Sequence, residues 1–356
     1  MKEPKQQRQF WLGMGISLLC LAAIFFFINP TEIWQALRTA NYRSLAVSAL
    51  GVLLFMVIRS VRWRFMLNNI VPWWPVFHIQ NIGYMLTNIL PFRLGDVARA
   101  VLIGNVPPVT IAQGFSTMVV ERVLDLLFIV TLLPFTLATV PILPGWMQTA
   151  ARSSGILAIG AIIILVVAAN QRPFVLRFST AFFQRIEKFR QFLVAHPKRL
   201  LKWLPPIDPP TWANRTDNFL TGLDSLTHFK AGSILIILSI LTWLPILIAY
   251  YYALQAVHLQ PTPIMAAFVV CVAAFSVALP SSPGQIGVFH AAVIAALQLL
   301  GQPEAESASF AFLYHAFNMV GVSVLLGVIA IFSTDATLAN VIASTQAFMK
   351  QKQEPQ

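Results

Sequence analysis

With 356 residues, 57% hydrophobic and 10% charged, and a mean hydropathy of +0.72, the chain carries more apolar surface than a soluble fold of this length can enclose. Composition therefore excludes a soluble globular domain and specifies an all-α polytopic membrane protein. The net charge of +11 would suggest nucleic acid in a soluble protein; here it collects beside apolar runs, where it reports topology, and no nucleic-acid partner is expected.

Measured against about 20 residues per span, apolar runs fall at 11–29, 44–61, 76–103, 114–140, 153–169, 232–256, 264–300 and 308–332, the third and seventh being broken. No small-residue cleavage site follows the first run, so a removable signal peptide is not expected. Lys2, Lys5 and Arg8 precede the first run, Arg59, Arg62 and Arg64 close the second, and eight Lys and Arg residues from Arg172 to Lys202 follow the fifth. These regions, and the tail with Lys350 and Lys352, are expected on the cytoplasmic side; Arg38 and Arg43 are the exceptions. With both termini cytoplasmic, the chain reads as one integral domain over 1–356 with about six full crossings and two re-entrant hairpins. One hairpin is centred on Pro91 and enters from the cytoplasm; the other is centred on Pro280 and enters from outside.

The third run holds Asn88, Pro91, Arg93, Gly95, Asp96 and Arg99 at its centre. An ionised side chain in mid-bilayer costs about 3 kcal/mol, so such residues serve function or pair with one another. Pro91 and Gly95 predict a break where the charges sit. In the fourth run Glu121 and Asp125 share a helix face, and Arg122 is spaced to reach Asp125. Two readings stay open: these charges, with Arg93 and Arg99, touch cargo, or they form a buried network that locks the hairpin.

Residues 170–231 form the one long polar interval, expected as a cytoplasmic helical insertion. Phe174, Phe178, Phe182, Ile186, Phe189 and Leu193 recur at helical spacing among basic residues, as in a helix lying on anionic lipid or covering the bundle. Prolines from Pro197 to Pro210 are expected to end it, with a second short helix over 217–229. The Asn214-Arg215-Thr216 sequon is assigned to the cytoplasmic side.

In the seventh run Ser281, Ser282, Pro283 and Gly284 predict an N-cap and a half-helix starting near mid-membrane, its free N–H groups suited to a phosphate or carboxylate. His290 is placed a turn or more inside that half-helix. Two Pro/Gly-interrupted segments entering from opposite faces suggest an inverted repeat with a midplane site. In the last run His315 and Asn318 are expected to face inward and support the site through interhelical hydrogen bonds. Cys20 and Cys271 have no metal or disulfide spacing; no metal or cofactor is expected.

Together, NILPFRLGDVAR, ERVLDLL and LPSSPGQIGVFH, in this order, resemble the transmembrane region of lysylphosphatidylglycerol synthase and the stand-alone flippase-like, or UPF0104, proteins. The family's Pro, Arg, Gly, acid and Arg map onto Pro91, Arg93, Gly95, Asp96 and Arg99. Its Glu-Arg and downstream Asp map onto Glu121, Arg122 and Asp125, and its Pro-Gly turn onto Pro283 and Gly284. The chain departs from the family at Gln285, where a second Gly is common, and at His290, where an acid is common. The synthase's soluble aminoacyl-transferase domain is not expected in this chain. The resemblance therefore implies lipid transport across an inner membrane rather than enzymatic synthesis, with anionic phospholipid as partner; a homodimer is permitted by the size of the bundle, though no motif argues for one. Taken with the reading of the residues themselves, the candidate lipid-binding residues are Asn88, Arg93, Asp96, Arg99, Glu121, Arg122, Asp125, Ser281, Ser282, Pro283, Gly284 and His290. A secondary transporter of a small anionic or amphipathic solute, an intramembrane transferase and a non-transporting partner subunit are the alternatives.

Overall fold

The computed structural model describes residues 30–89, 94–137, 171–195, 208–222, 229–276 and 282–333, with isolated positions between 15 and 22 and between 149 and 164. The expected first and fifth spans, both termini, Pro91, Arg93, Pro280 and Ser281 lie outside the described residues or largely so. Every described element is helical. They are α1 (Pro30–Arg38), α2 (Tyr42–Met66), α3 (Trp73–Ile89), α4 (Leu94–Gly104), α5 (Ile111–Leu137), α6 (Arg172–Ala195), α7 (Pro209–Gly222), α8 (Phe229–Ala256), α9 (Pro263–Ser276), α10 (Val288–Leu299), α11 (Glu304–Tyr314) and α12 (Ser323–Phe332). A π-helical stretch, His315–Val322, joins the last two into one rod. Tyr42–Met66, Ala231–Ala256 and Glu304–Phe332 are long and apolar enough to cross a membrane.

The second half repeats the plan of the first. A 25-residue helix (α2), two short helices of 17 and 11 residues flanking a break (α3, α4) and a 27-residue helix (α5) come first. A 28-residue helix (α8), two short helices of 14 and 12 residues flanking a break (α9, α10) and a 29-residue rod follow. Packing obeys the same exchange: α2 lies along α8, α3 packs on α12 as α9 packs on α5, and α4 packs on α5 as α10 packs on α11. The equivalent helices α2 and α8 run antiparallel, since Ser44 bonds Gln255 (3.1 Å) at one end and Arg62 bonds Ser239 (3.4 Å) at the other.

Local chemistry explains the boundaries. The Asn41 side chain accepts from the backbone N–H of Arg43 and Ser44, at 3.0 and 3.3 Å, and so starts α2. Gly83 and Gly95 let α3 and α4 touch: a Cβ on Gly95 would overlap the Gly83 carbonyl and lie 2.5 Å from the Thr87 nitrogen. Each half has its own apolar core, one built on Trp63, Val76, Ile103 and Val120, the other on Leu254, Val269, Val293 and Phe310.

Two expectations change in the polar interval. Pro209 and Pro210 begin a helix instead of ending one, because Asp208 accepts from the Thr211 N–H at 3.2 Å and proline suits the first helical turn. The second helix therefore starts at Pro209 and not at 217, and is described to Gly222; 223–228, where it was expected to continue, lie outside the described residues. It packs on α6, with Phe183 stacked on Trp212 at 5.0 Å, and also on α5.

Candidate functional site

The polar centre lies where α2, α4 and α5 meet. Arg59 reaches both acids of α5, its Nη2 donating to Glu121 and Asp125 at 2.5 Å each. Arg62 donates to the other Asp125 oxygen at 2.7 Å, and Arg99 to Glu121 at 3.1 Å. The Arg99 guanidinium also lies 4.3 Å from the centre of the Trp63 ring, a cation–π contact. These five residues are buried; three arginines against two carboxylates leave one excess positive charge.

This corrects the sequence reading twice. Arg59 and Arg62, 3% and 0% exposed, are not loop charges reporting topology. α2 runs on to Met66, which carries both side chains along its inner face to the α5 acids. The signal was present in their three-residue spacing, one helical turn, but a basic cluster ending an apolar run reads first as a membrane boundary. Arg122, expected to reach Asp125, instead donates to Asp96 at 2.8 Å, because Asp125 is already held by two arginines. Glu121 and Arg99 meet as expected.

The second half supplies a neutral counterpart. Across α10 and the rod, His290 and His315 sit with ring centres 4.7 Å apart, as Arg99 and Glu121 meet across α4 and α5. The half-helix expected to start at Ser282 begins later, at Val288. Gly284 (φ 68°), Gln285 (φ 61°) and Gly287 (φ 89°) all adopt left-handed or related backbone, so only one 3₁₀ turn precedes the α-helix at Val288. Ser282 makes no capping bond; its hydroxyl donates to the Pro283 and Ile286 carbonyls at 3.3 and 3.2 Å. His290 lies in the first turn, not deeper, and its Nδ1 accepts from the Gly287 N–H at 3.2 Å. The new helix end is thus capped from within. His315 donates from Nε2 to the Gly284 carbonyl at 2.6 Å, a satisfied contact as expected.

The two breaks come together. A Cβ on Gly284 would sit 3.3 Å from the Asn88 carbonyl, and the Asn88 amide donates to Ser323 at 2.8 Å. Beside this junction is a cavity of about 350 Å³. Apolar side chains such as Val52, Ile129 and Phe289 form most of its wall, while Arg59, Asp125, Arg122 and Asn88 border it. Glu121, Arg99 and Arg62 do not reach it.

Four further lining residues hold buried polar atoms with no hydrogen-bond partner among the described residues: Tyr84 Oη, Trp243 Nε1, Gln285 Oε1 and both amide atoms of Asn318. Asn318 is 5% exposed and lies on the π-helical stretch, a widened turn of the kind found at functional positions. It was expected to have an interhelical bond and has none among the described residues. Tyr84 and Trp243 were missed altogether, since aromatic residues in apolar runs read as packing.

A model of the lysylphosphatidylglycerol synthase TM region matches residues 10–327. The chain belongs to this family. Among its relatives, a UPF0104 membrane protein of Methanothermobacter thermautotrophicus is 23% identical over 300 residues, 81% of this chain and 83% of that protein. A second UPF0104 membrane protein, from Methanocaldococcus jannaschii, is 30% identical over 115 residues, 31% of this chain and 34% of its own. The glycosyltransferase AglD of Haloferax volcanii is 26% identical over 126 residues, 33% of this chain and 19% of that protein. No solved structure matches this lysylphosphatidylglycerol synthase TM-region protein. Its arginine–carboxylate cluster is carried by two of the three motifs that first suggested the family, completed by Arg59 and Arg62 from outside them.

Proposed function

We propose that this protein moves an anionic phospholipid, or an aminoacylated relative of one, across the cytoplasmic membrane. The observation that supports this reading is an apolar-walled cavity whose unpartnered hydrogen-bonding groups stand beside one excess buried positive charge. Each buried polar atom left without a partner costs about 1–3 kcal/mol. An anionic headgroup would return those bonds and offset the charge in one step. The cavity volume suits a headgroup and not two acyl chains, which would stay in the bilayer. Lateral access is consistent with Leu126 and Phe275, which line the cavity and are 53% and 38% exposed.

In this reading each half crosses three times and contributes one re-entrant hairpin, giving six crossings with both termini cytoplasmic. An odd number per half sets the halves in opposite orientations, which the antiparallel run of α2 and α8 supports. An inverted repeat around a shared site suits alternating access. Transport, not bond making, is the activity, driven by a gradient or by membrane potential. The match to a protein named as a glycosyltransferase agrees with a setting in membrane lipid or glycan chemistry.

The test is headgroup accessibility in proteoliposomes, with labelled phosphatidylglycerol against labelled phosphatidylcholine, for the wild type and Asn318→Leu. Protein-dependent movement of phosphatidylglycerol, reduced at least tenfold in a folded Asn318→Leu variant, is expected. Movement of neither lipid, with uptake of a soluble phosphate ester instead, would replace the translocase with a solute transporter.

A further inference from the structure

A second hollow, also about 350 Å³, lies against α4 and α5. Val97, Phe115, Met118, Val119 and Val123 give it apolar walls, and its polar side chains are Asp96 and Arg122. Arg122 and Leu126 border this groove and the central cavity alike. They are the partition between the two spaces.

The partition is held loosely. The Arg122 and Asp96 side chains are 39% and 26% exposed, against 12% or less for every member of the enclosed cluster. Arg122 makes one bond to Asp96, and its Nε is buried with no partner among the described residues. A half-exposed ion pair is weak and exchangeable, whereas an enclosed one is not. A guanidinium with unused donors matches the two oxygens that a phosphate presents.

We propose that this groove is the lateral entry site for one anionic phospholipid, and that Arg122 exchanges the Asp96 carboxylate for the lipid phosphate and passes it to the central cavity. The acyl chains lie along Val97, Phe115 and Val119, and Leu126 must turn aside for the headgroup to pass. The first step, docking in the groove, stands on the groove's own chemistry; the passage inward rests on the translocase reading.

The experiment reconstitutes the full chain with trace phosphatidylglycerol or phosphatidylcholine carrying a photoactivatable diazirine in one acyl chain, then maps adducts by peptide mass spectrometry. The wild type should show adducts within 97–126, at least threefold enriched for phosphatidylglycerol. Arg122→Gln should abolish that enrichment, and Asp96→Asn, which frees the arginine, should raise it. Melting temperatures within 3 °C of wild type establish that both variants are folded. Equal labelling by the two lipids, or enrichment indifferent to Arg122, would overturn the groove site. Two-way comparison with the accessibility assay separates the steps. Enrichment without any lipid movement overturns the passage inward while upholding the docking. Wild-type movement in Arg122→Gln overturns the entry route while leaving the translocase in place.

Discussion

The two halves of this protein share a plan of helices and differ in what they bury at the break. The first half buries fixed charge: Glu121 takes Arg59 and Arg99, and Asp125 takes Arg59 and Arg62, so each carboxylate is shared by two arginines. The second half buries neutral groups with bonding capacity to spare, Gln285 and Asn318. The same scaffold thus carries a rigid electrostatic anchor on one side of the cavity and an uncommitted hydrogen-bonding surface on the other. A network in which every carboxylate bridges two arginines holds helices in place; unpaired buried amides are tolerated where something else is to be bound.

Breaking the charged half should have the largest effect. Glu121→Ala leaves Arg99 buried without a carboxylate and Arg59 with Asp125 alone, which costs about 3–5 kcal/mol; it should appear as a large drop in detergent melting temperature, and near-normal stability would remove Glu121 as the hub. Next, Gly95→Ala forces a methyl into the α3 backbone, a loss of about 1–3 kcal/mol from overpacking, read in the same melt. The neutral half should respond in the opposite direction. Asn318→Leu removes two unpartnered atoms at similar volume and should raise lipid-free stability by about 1–3 kcal/mol while lipid movement falls. A loss of stability there would mean that Asn318 has a bonding partner after all. The smallest effect is expected at Gln285, a non-glycine residue with φ 61°. Gln285→Gly relieves backbone strain of about 1 kcal/mol, partly offset by the entropy of a freer unfolded chain. A melt unchanged or raised slightly fits; a clear fall would show that the side chain supports the turn.

Much of this architecture was legible in the sequence because hydrophobic length and Pro/Gly breaks act locally. The broken third and seventh runs, the α5 acids and the inward-facing His315 follow from spacing alone. What was hidden depends on tertiary contact. Arg59 and Arg62 look like a membrane boundary until α2 is seen to continue past them. Arg122 finds Asp96 only because two other arginines occupy Asp125. Ser282-Pro283 carries every local signal of a helix start, yet three departures to positive φ, at Gly284, Gln285 and Gly287, delay the helix to Val288. The family's second glycine would have made that delay easier to foresee; glutamine concealed it.

The most direct test of a binding surface in the neutral half is the shift in melting temperature as short-chain phosphatidylglycerol or phosphatidylcholine is titrated onto purified wild type and Asn318→Leu. A ligand that binds only the folded state at 100 times its Kd adds about 2.7 kcal/mol. The account predicts stabilisation of the wild type by phosphatidylglycerol alone, and a variant that starts higher and no longer responds. Equal shifts in the two proteins, or equal shifts by the two lipids, would contradict it.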